Sequence, residues 1–270
     1  MPKKRLNLYT VSYMKLKTQT QDTFEFSVLI CNAVPTLKRN IRLYEKGIIS
    51  DLVKPDHYGP LRKLTEDEMN RNNVHLKEMS TGYRAKLSKY VLISNFSFFE
   101  SYVIDVINEM ISFHGGREEF IEKSRKGGEN QIQNNDPQLE KVRRKIRRPN
   151  NPQHVLMYKN ASDKLVERGY RFPSDLLSSY GARMLIQKIG NMNSVDIPNI
   201  LTDGLHMKID ETRINEFHNI RDIRNKIAHG DSVTLTIPQV TQMSKTLKSL
   251  AFDIDQHLLR YYFISESYLS

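Results

Sequence analysis

The chain has 270 residues, enough for one large or two small domains, and its 39% hydrophobic and 27% charged residues are ordinary for a soluble globular protein. Its single cysteine, Cys31, excludes an internal disulfide framework and a Cys-based zinc site and fits a reducing compartment. Forty-one Lys and Arg against 31 acids give a formal net charge of +10, which favours a polyanionic partner, RNA or DNA before a membrane surface.

Gly and Pro are few and β-branched runs scarce, so the elements are expected to be helices. Residues 1–23 are polar and patternless and read as a poorly held terminus. From Phe24 to about Gly47 the apolar residues recur at helical spacing, with Pro35 expected to kink or divide the segment. Ser50–Pro60 reads as a loop, and Thr65-Glu66-Asp67-Glu68 as a capped helix start. A helical pattern then runs to Phe113, with a break expected near Gly82. Its second half, Leu87–Phe113, is apolar nearly all round, as in a central buried helix, and His114-Gly115-Gly116 ends it.

Residues 114–153 lack a period and read as a loop or insertion. They hold the sharpest charge run, in which Lys141, Arg143, Arg144, Lys145, Arg147 and Arg148 are candidates to grip RNA; the plain alternative is a solvated basic face. Helices are expected again at Val155–Arg168, Ser174–Ile189, Thr212–His229 and from Pro238 onward. No apolar run approaches the roughly 18–20 residues needed to span a bilayer, and no apolar leader follows the basic start, so a cytoplasmic location without a membrane partner is expected.

The most informative residues are Arg224-Asn225-Lys226-Ile227-Ala228-His229, which end a helix just before Gly230. An arginine can neutralise a strained phosphate while a histidine moves protons near neutral pH, so the pair can cut RNA without a metal or other cofactor. Projected as a helix, Arg224 falls among Phe217, Ile220, Ile223, Ile227 and Ala228, inside the apolar face. A buried charge needs a partner, and Glu100 is equally misplaced among Ile93, Ile104, Ile107 and Ile111 on the central helix. A Glu100–Arg224 ion pair is therefore expected. His229 lies on another side, in line with His218, Asp222 and Asn225. For Arg224 and His229 to meet at one phosphate, the helix must distort near its end or a second protomer must complete the site.

This pattern resembles the HEPN superfamily of all-helical domains, whose signature is an Arg, four to six residues and a His, often with a polar residue after the Arg. Phe98-Phe99-Glu100-Ser101-Tyr102 resembles the acidic site on an earlier core helix of such families. The resemblance implies an all-α bundle of four to five core helices over residues 81–270, with an insertion at about 114–153 and residues 1–80 as an N-terminal helical extension. It further implies a homodimeric, metal-independent endoribonuclease acting by 2′-OH attack, often a toxin or antiphage effector controlled by an antitoxin or activating partner. Arg224, Asn225, His229 and Glu100 would form its site. There are departures: Asp231 stands where some toxins carry a tyrosine, and there is no glycine-rich phosphate loop. The alternatives are a HEPN-like RNA-binding or protein-interaction module without catalysis and, more remotely, a DNA-binding helical protein.

Overall fold

The computed structural model describes residues 9–49, 65–133, 172 and 178–263, and among these every regular element is a helix. The basic run 141–148, with Lys141, Arg143, Arg144, Lys145, Arg147 and Arg148, and the helix expected at 155–168 lie outside the described residues.

Helix α1 runs Val11–Glu45, without interruption at Pro35. It starts some thirteen residues before the apolar periodicity, so most of the segment read as patternless is helical. The reason is the chemistry of its contact: the buried positions at this end are Ser12, Leu16 and Thr20, mostly polar. The Ser12 amide and hydroxyl both donate to Glu109 Oε2, at 2.9 and 2.6 Å. Thr10, the N-cap, donates through its amide and hydroxyl to Asp255 Oδ1. A helix held by carboxylates leaves no hydrophobic stripe to read. Pro35 is exposed, so the backbone bond it removes lies on the solvent side.

Helix α2 (Glu66–Met79) and helix α3 (Tyr83–Phe113) are separated at Gly82, whose φ of 69° gives the left-handed turn a glycine accepts freely. Helix α3 is the axis of the bundle. Leu92, Phe96, Val103, Val106, Ile107 and Met110 are wholly inaccessible, and α1 covers one side while the last helix covers another. At 31 residues it is long and apolar enough, by length and composition, to cross a membrane. Here that apolarity is spent on neighbouring helices.

Helix α4 (Arg117–Gln133) follows directly after the glycine turn. This corrects the reading of 114–153 as a loop from its start. The segment's polar composition hid a helix anchored by one buried aromatic, Phe120, and packed against the helix Ser178–Ile189. Helix α5 (Ser178–Ile189) leads into a chain of short turns, a 3-10 turn at Ser194–Asp196 and a π-helical turn at Ile200–Gly204. The sequence showed no element there. α5 meets the π turn backbone to backbone: a Cβ on Gly181 would lie 2.4 Å from the Gly204 carbonyl oxygen, so only glycine fits.

Helix α6 (Glu211–Ala228) and helix α7 (Ile237–Tyr261) complete the bundle, close to the expected bounds. Asp210 caps α6 by accepting from the Arg213 amide, and Thr236 and Gln239 form a capping box for α7. α7 runs parallel to α3: Asn95 Nδ2 donates to Ser244 Oγ at 2.8 Å and the Tyr102 hydroxyl to the Ala251 carbonyl at 3.0 Å. α6 runs antiparallel to α7, with Arg213 paired to Asp253. Its Phe217 enters the core against Phe96 and Phe99.

Candidate active site

Arg224 occupies the place its helical projection gave it. Its Nη2 donates to Glu100 Oε2 at 2.8 Å, so the ion pair expected between α6 and α3 is present. The pair is half-buried, with 25% of the arginine and 22% of the glutamate side chain exposed. The guanidinium carbon lies 5.2 Å from the centroid of the Phe96 ring, so an aromatic face supports the cation from below. Phe96 stands four residues before Glu100 on the same stripe of α3, a relation readable from sequence but not drawn.

The hydroxyl of Ser194, which opens the 3-10 turn, lies near Glu100 and favours its charged form. Burial raises the Glu100 carboxyl above its ordinary pKa; the Arg224 charge and the nearby Ser194 hydroxyl oppose that shift. The turn is fixed by Lys188, whose Nζ donates to Asp196 Oδ1 at 2.8 Å and holds that carboxyl below the usual range. Ser194 has no periodic context in the sequence, so nothing there could have pointed to it.

Asn225 is turned to the arginine rather than left on the outer stripe: Arg224 Nη1 donates to its Oδ1 at 3.0 Å. Two of the five guanidinium N–H groups are thus engaged by Glu100 and Asn225, and Nε is buried without a protein acceptor. Each terminal nitrogen keeps a second N–H.

His229 stands apart. It is the C-cap of α6, with φ −82° and ψ 0°, its amide bonded to the Asn225 carbonyl and its side chain exposed. Gly230 follows at φ 85°, and the Asp231 amide returns to the Lys226 carbonyl at 2.9 Å, closing the helix end. α6 stays regular to Ala228, so the helix does not distort to carry His229 toward Arg224. The structure brings Glu100, Arg224 and Asn225 together and leaves His229 on the rim. Its stripe-mates form a cluster of their own, with Arg221 donating to His218 Nδ1 at 3.0 Å and to Asp222 Oδ1 at 2.7 Å.

An all-helical bundle with a buried acid on its central helix, matched to the arginine of an Arg-x4-His helix end, is the class of a HEPN domain. A family model described as RiboL-PSP-HEPN matches residues 62–260, and the chain belongs to this family of the HEPN superfamily. The match begins at residue 62 and therefore takes in α2 and the helix α4. No curated protein and no solved structure matches the chain. HEPN domains include ribonucleases and commonly bind RNA and dimerise, so membership points to a nuclease or RNA-related role.

Proposed function

We propose that the protein is a metal-independent endoribonuclease whose site is shared between two protomers, and that it serves as a toxin or antiphage effector in the cytoplasm. The observation that supports this reading most is the geometry of Arg224: a cation clamped by Glu100 and Asn225 over Phe96, with a quarter of its side chain still exposed. In the proposed reaction the ribose 2′-oxygen forms a bond to the adjacent phosphorus and the bond from phosphorus to the 5′-oxygen breaks. His229 takes the 2′-hydroxyl proton or gives one to the departing 5′-oxygen, while Arg224 stabilises the charge gathering on the phosphate. The products are a 2′,3′-cyclic phosphate and a 5′-hydroxyl end, and DNA, which has no 2′-hydroxyl, is not a substrate.

His229 comes from the rim of the same helix, on a side that Arg224 does not face. Two α6 ends related by a two-fold axis would place one protomer's Arg224 beside the other's His229. The test is cleavage of end-labelled RNA by purified protein in excess chelator. Cleavage by wild type, its loss in His229→Ala and Arg224→Ala, and cyclic-phosphate ends are expected. Cleavage that persists in His229→Ala overturns the mechanism. One observation favours a second reading, a non-catalytic RNA-binding or protein-interaction module: Glu100 already neutralises Arg224. Inactive wild type that still binds RNA would select it.

A further inference from the structure

The contacts of α1 fix its register against the bundle. Ser12 meets Glu109, Lys15 meets Asp105, and Thr20 lines a small cavity with Asn95 and Phe99. The two helices are therefore antiparallel, and this register brings Cys31 level with the turn of α3 that carries Val91 and Lys38 level with the start of α3 at Tyr83. α1 nevertheless continues to Glu45. Its last turns, from about Lys38 onward, project past the end of α3 by roughly 12 Å at about 1.5 Å per residue. α2 braces this arm, with Lys77 Nζ 2.9 Å from Glu45 Oε1 and Ile41 wholly buried.

The arm is basic on its open side. Lys38, Arg39, Arg42 and Lys46, with Pro35 and Leu43, line a groove of about 370 Å³. Among the described residues none of these four side chains makes a hydrogen bond or ion pair, and Glu45, the one acid of the arm, is taken by Lys77. The negative end of the helix dipole accounts for cations in the last turn, Arg42 and Lys46, but its effect fades within that turn. It gives no reason for Lys38 and Arg39.

The arm also leaves the bundle at a definite end. Cys31 and Asn32 share a groove with Val91 of α3 and Ile237, the first residue of α7. Ile237 follows His229 after a short connection, so His229 and the arm stand at the same end of the bundle. Residues 38–46 lie outside the family match, which starts at 62.

We infer that the open face of the α1 arm is an exosite for the RNA backbone, in which Lys38, Arg39, Arg42 and Lys46 hold phosphates of a strand whose reacting nucleotide lies at the His229 end. The inference rests on the proposed ribonuclease reading for the choice of RNA as the anion. A dinucleotide reaches the reacting centre alone, whereas a longer strand also reaches the arm. The arm therefore adds affinity for long RNA and leaves the chemical step unchanged.

The test uses the full chain carrying His229→Ala, a fluorescent 20-nucleotide 2′-O-methyl RNA that cannot be cut, and anisotropy titrations across a salt series. The quadruple variant K38Q/R39Q/R42Q/K46Q keeps helix-favouring side chains at exposed or half-exposed positions, and circular dichroism confirms that its helicity is unchanged. The slope of log K against log salt is expected to become shallower by up to about 3, at about 0.7 per lost phosphate contact, with affinity weakened at least about tenfold. The control K17Q/R117Q removes two cations that have no place on the arm and is expected to shift the slope little. An unchanged slope in the quadruple variant, an equal loss per charge in the control, or arm-dependent binding to anionic phosphatidylserine vesicles without RNA binding would each overturn the inference. Cleavage is scored separately on His229-intact protein. Arm-dependent binding by a wild type that cuts nothing would refute the nuclease while leaving the exosite standing. Cleavage of long RNA at an unaltered KM by the quadruple variant would do the reverse.

Discussion

Removing either partner of the Glu100–Arg224 pair tests the geometry on which the site depends. The pair is about three-quarters buried on both sides, bonded at 2.8 Å, and connects α3 to α6. Exposed pairs contribute about 0–1 kcal/mol, while breaking a fully buried one costs about 3–5 kcal/mol because the remaining charge is stranded. At this exposure Arg224 retains Asn225 and Phe96, and Glu100 retains contact with solvent, so neither single loss strands a charge completely. The expected cost of Glu100→Ala or Arg224→Ala is therefore about 1.5–2.5 kcal/mol each, with a coupling energy of about 1–2 kcal/mol. Urea denaturation of wild type, both single variants and the double variant closes the cycle. In heat, each kcal/mol corresponds to a fall in Tm of about 2–4 °C for a domain of this size. A coupling below about 0.3 kcal/mol, the level at which distant sites simply add, would show that the two charges do not interact in solution. The same variants separate structure from chemistry: Glu100→Gln preserves side-chain shape and is expected to lower cleavage less than Arg224→Lys, which cannot make the planar two-sided contact.

Two buried titrating groups give opposite pH signatures. Burial holds His257 neutral, with its pKa lowered to about 4, while its Nε2–H donates to the Leu205 carbonyl. Its contribution is full above about pH 6.5 and is lost as the pH falls toward 4, amounting to about 3 kcal/mol at most; in urea titrations His257→Gln should flatten that acid limb, and a wild-type profile parallel to the variant's would refute the shift. Burial raises the Asp255 carboxyl although Thr10 donates to it twice, and its Oδ2 has no partner. Here the native state holds its proton more tightly than the unfolded chain, so stability is lost as the pH rises through the raised pKa. Asp255→Asn should therefore gain on wild type in Tm between acid and neutral pH, and a widening deficit over that range would refute it.

The bundle and the ion pair were legible because both rest on helical periodicity. Two charges sat on apolar stripes of two helices, and a charge inside a bundle must be paired. The parts that were not legible use polar contacts. The first turns of α1 are docked by Glu109 and Asp255 rather than by leucines, and α4 is held by Phe120 within a polar helix. Asn225 illustrates a finer failure: periodicity assigned it to the outer stripe, but its short side chain reaches back to the neighbouring guanidinium. Ser194 belongs to a turn fixed by a local ion pair, Lys188 with Asp196, a feature with no repeat at all.

The strongest consequence of the regular α6 end concerns stoichiometry. His229 caps a helix that stays regular to Ala228, so on the proposed reading Arg224 and His229 of one chain face different directions and reaction at one phosphate would draw on the partner's copy of one of them. Mixing inactive Arg224→Ala with inactive His229→Ala then has a definite result. In each mixed dimer, one composite site has lost both groups and the other retains both, one from each chain. Random exchange makes half the dimers mixed, so the mixture should recover about a quarter of wild-type activity after co-refolding or co-expression. His229 is exposed and its substitution leaves the Glu100–Arg224 pair in place, so the loss in that variant is not a loss of fold. A site built within one chain gives no recovery at any mixing ratio. Zero activity in a mixture shown by mass spectrometry to contain mixed dimers would therefore refute the shared site, as would full wild-type cleavage by a monomer at concentrations where no dimer forms.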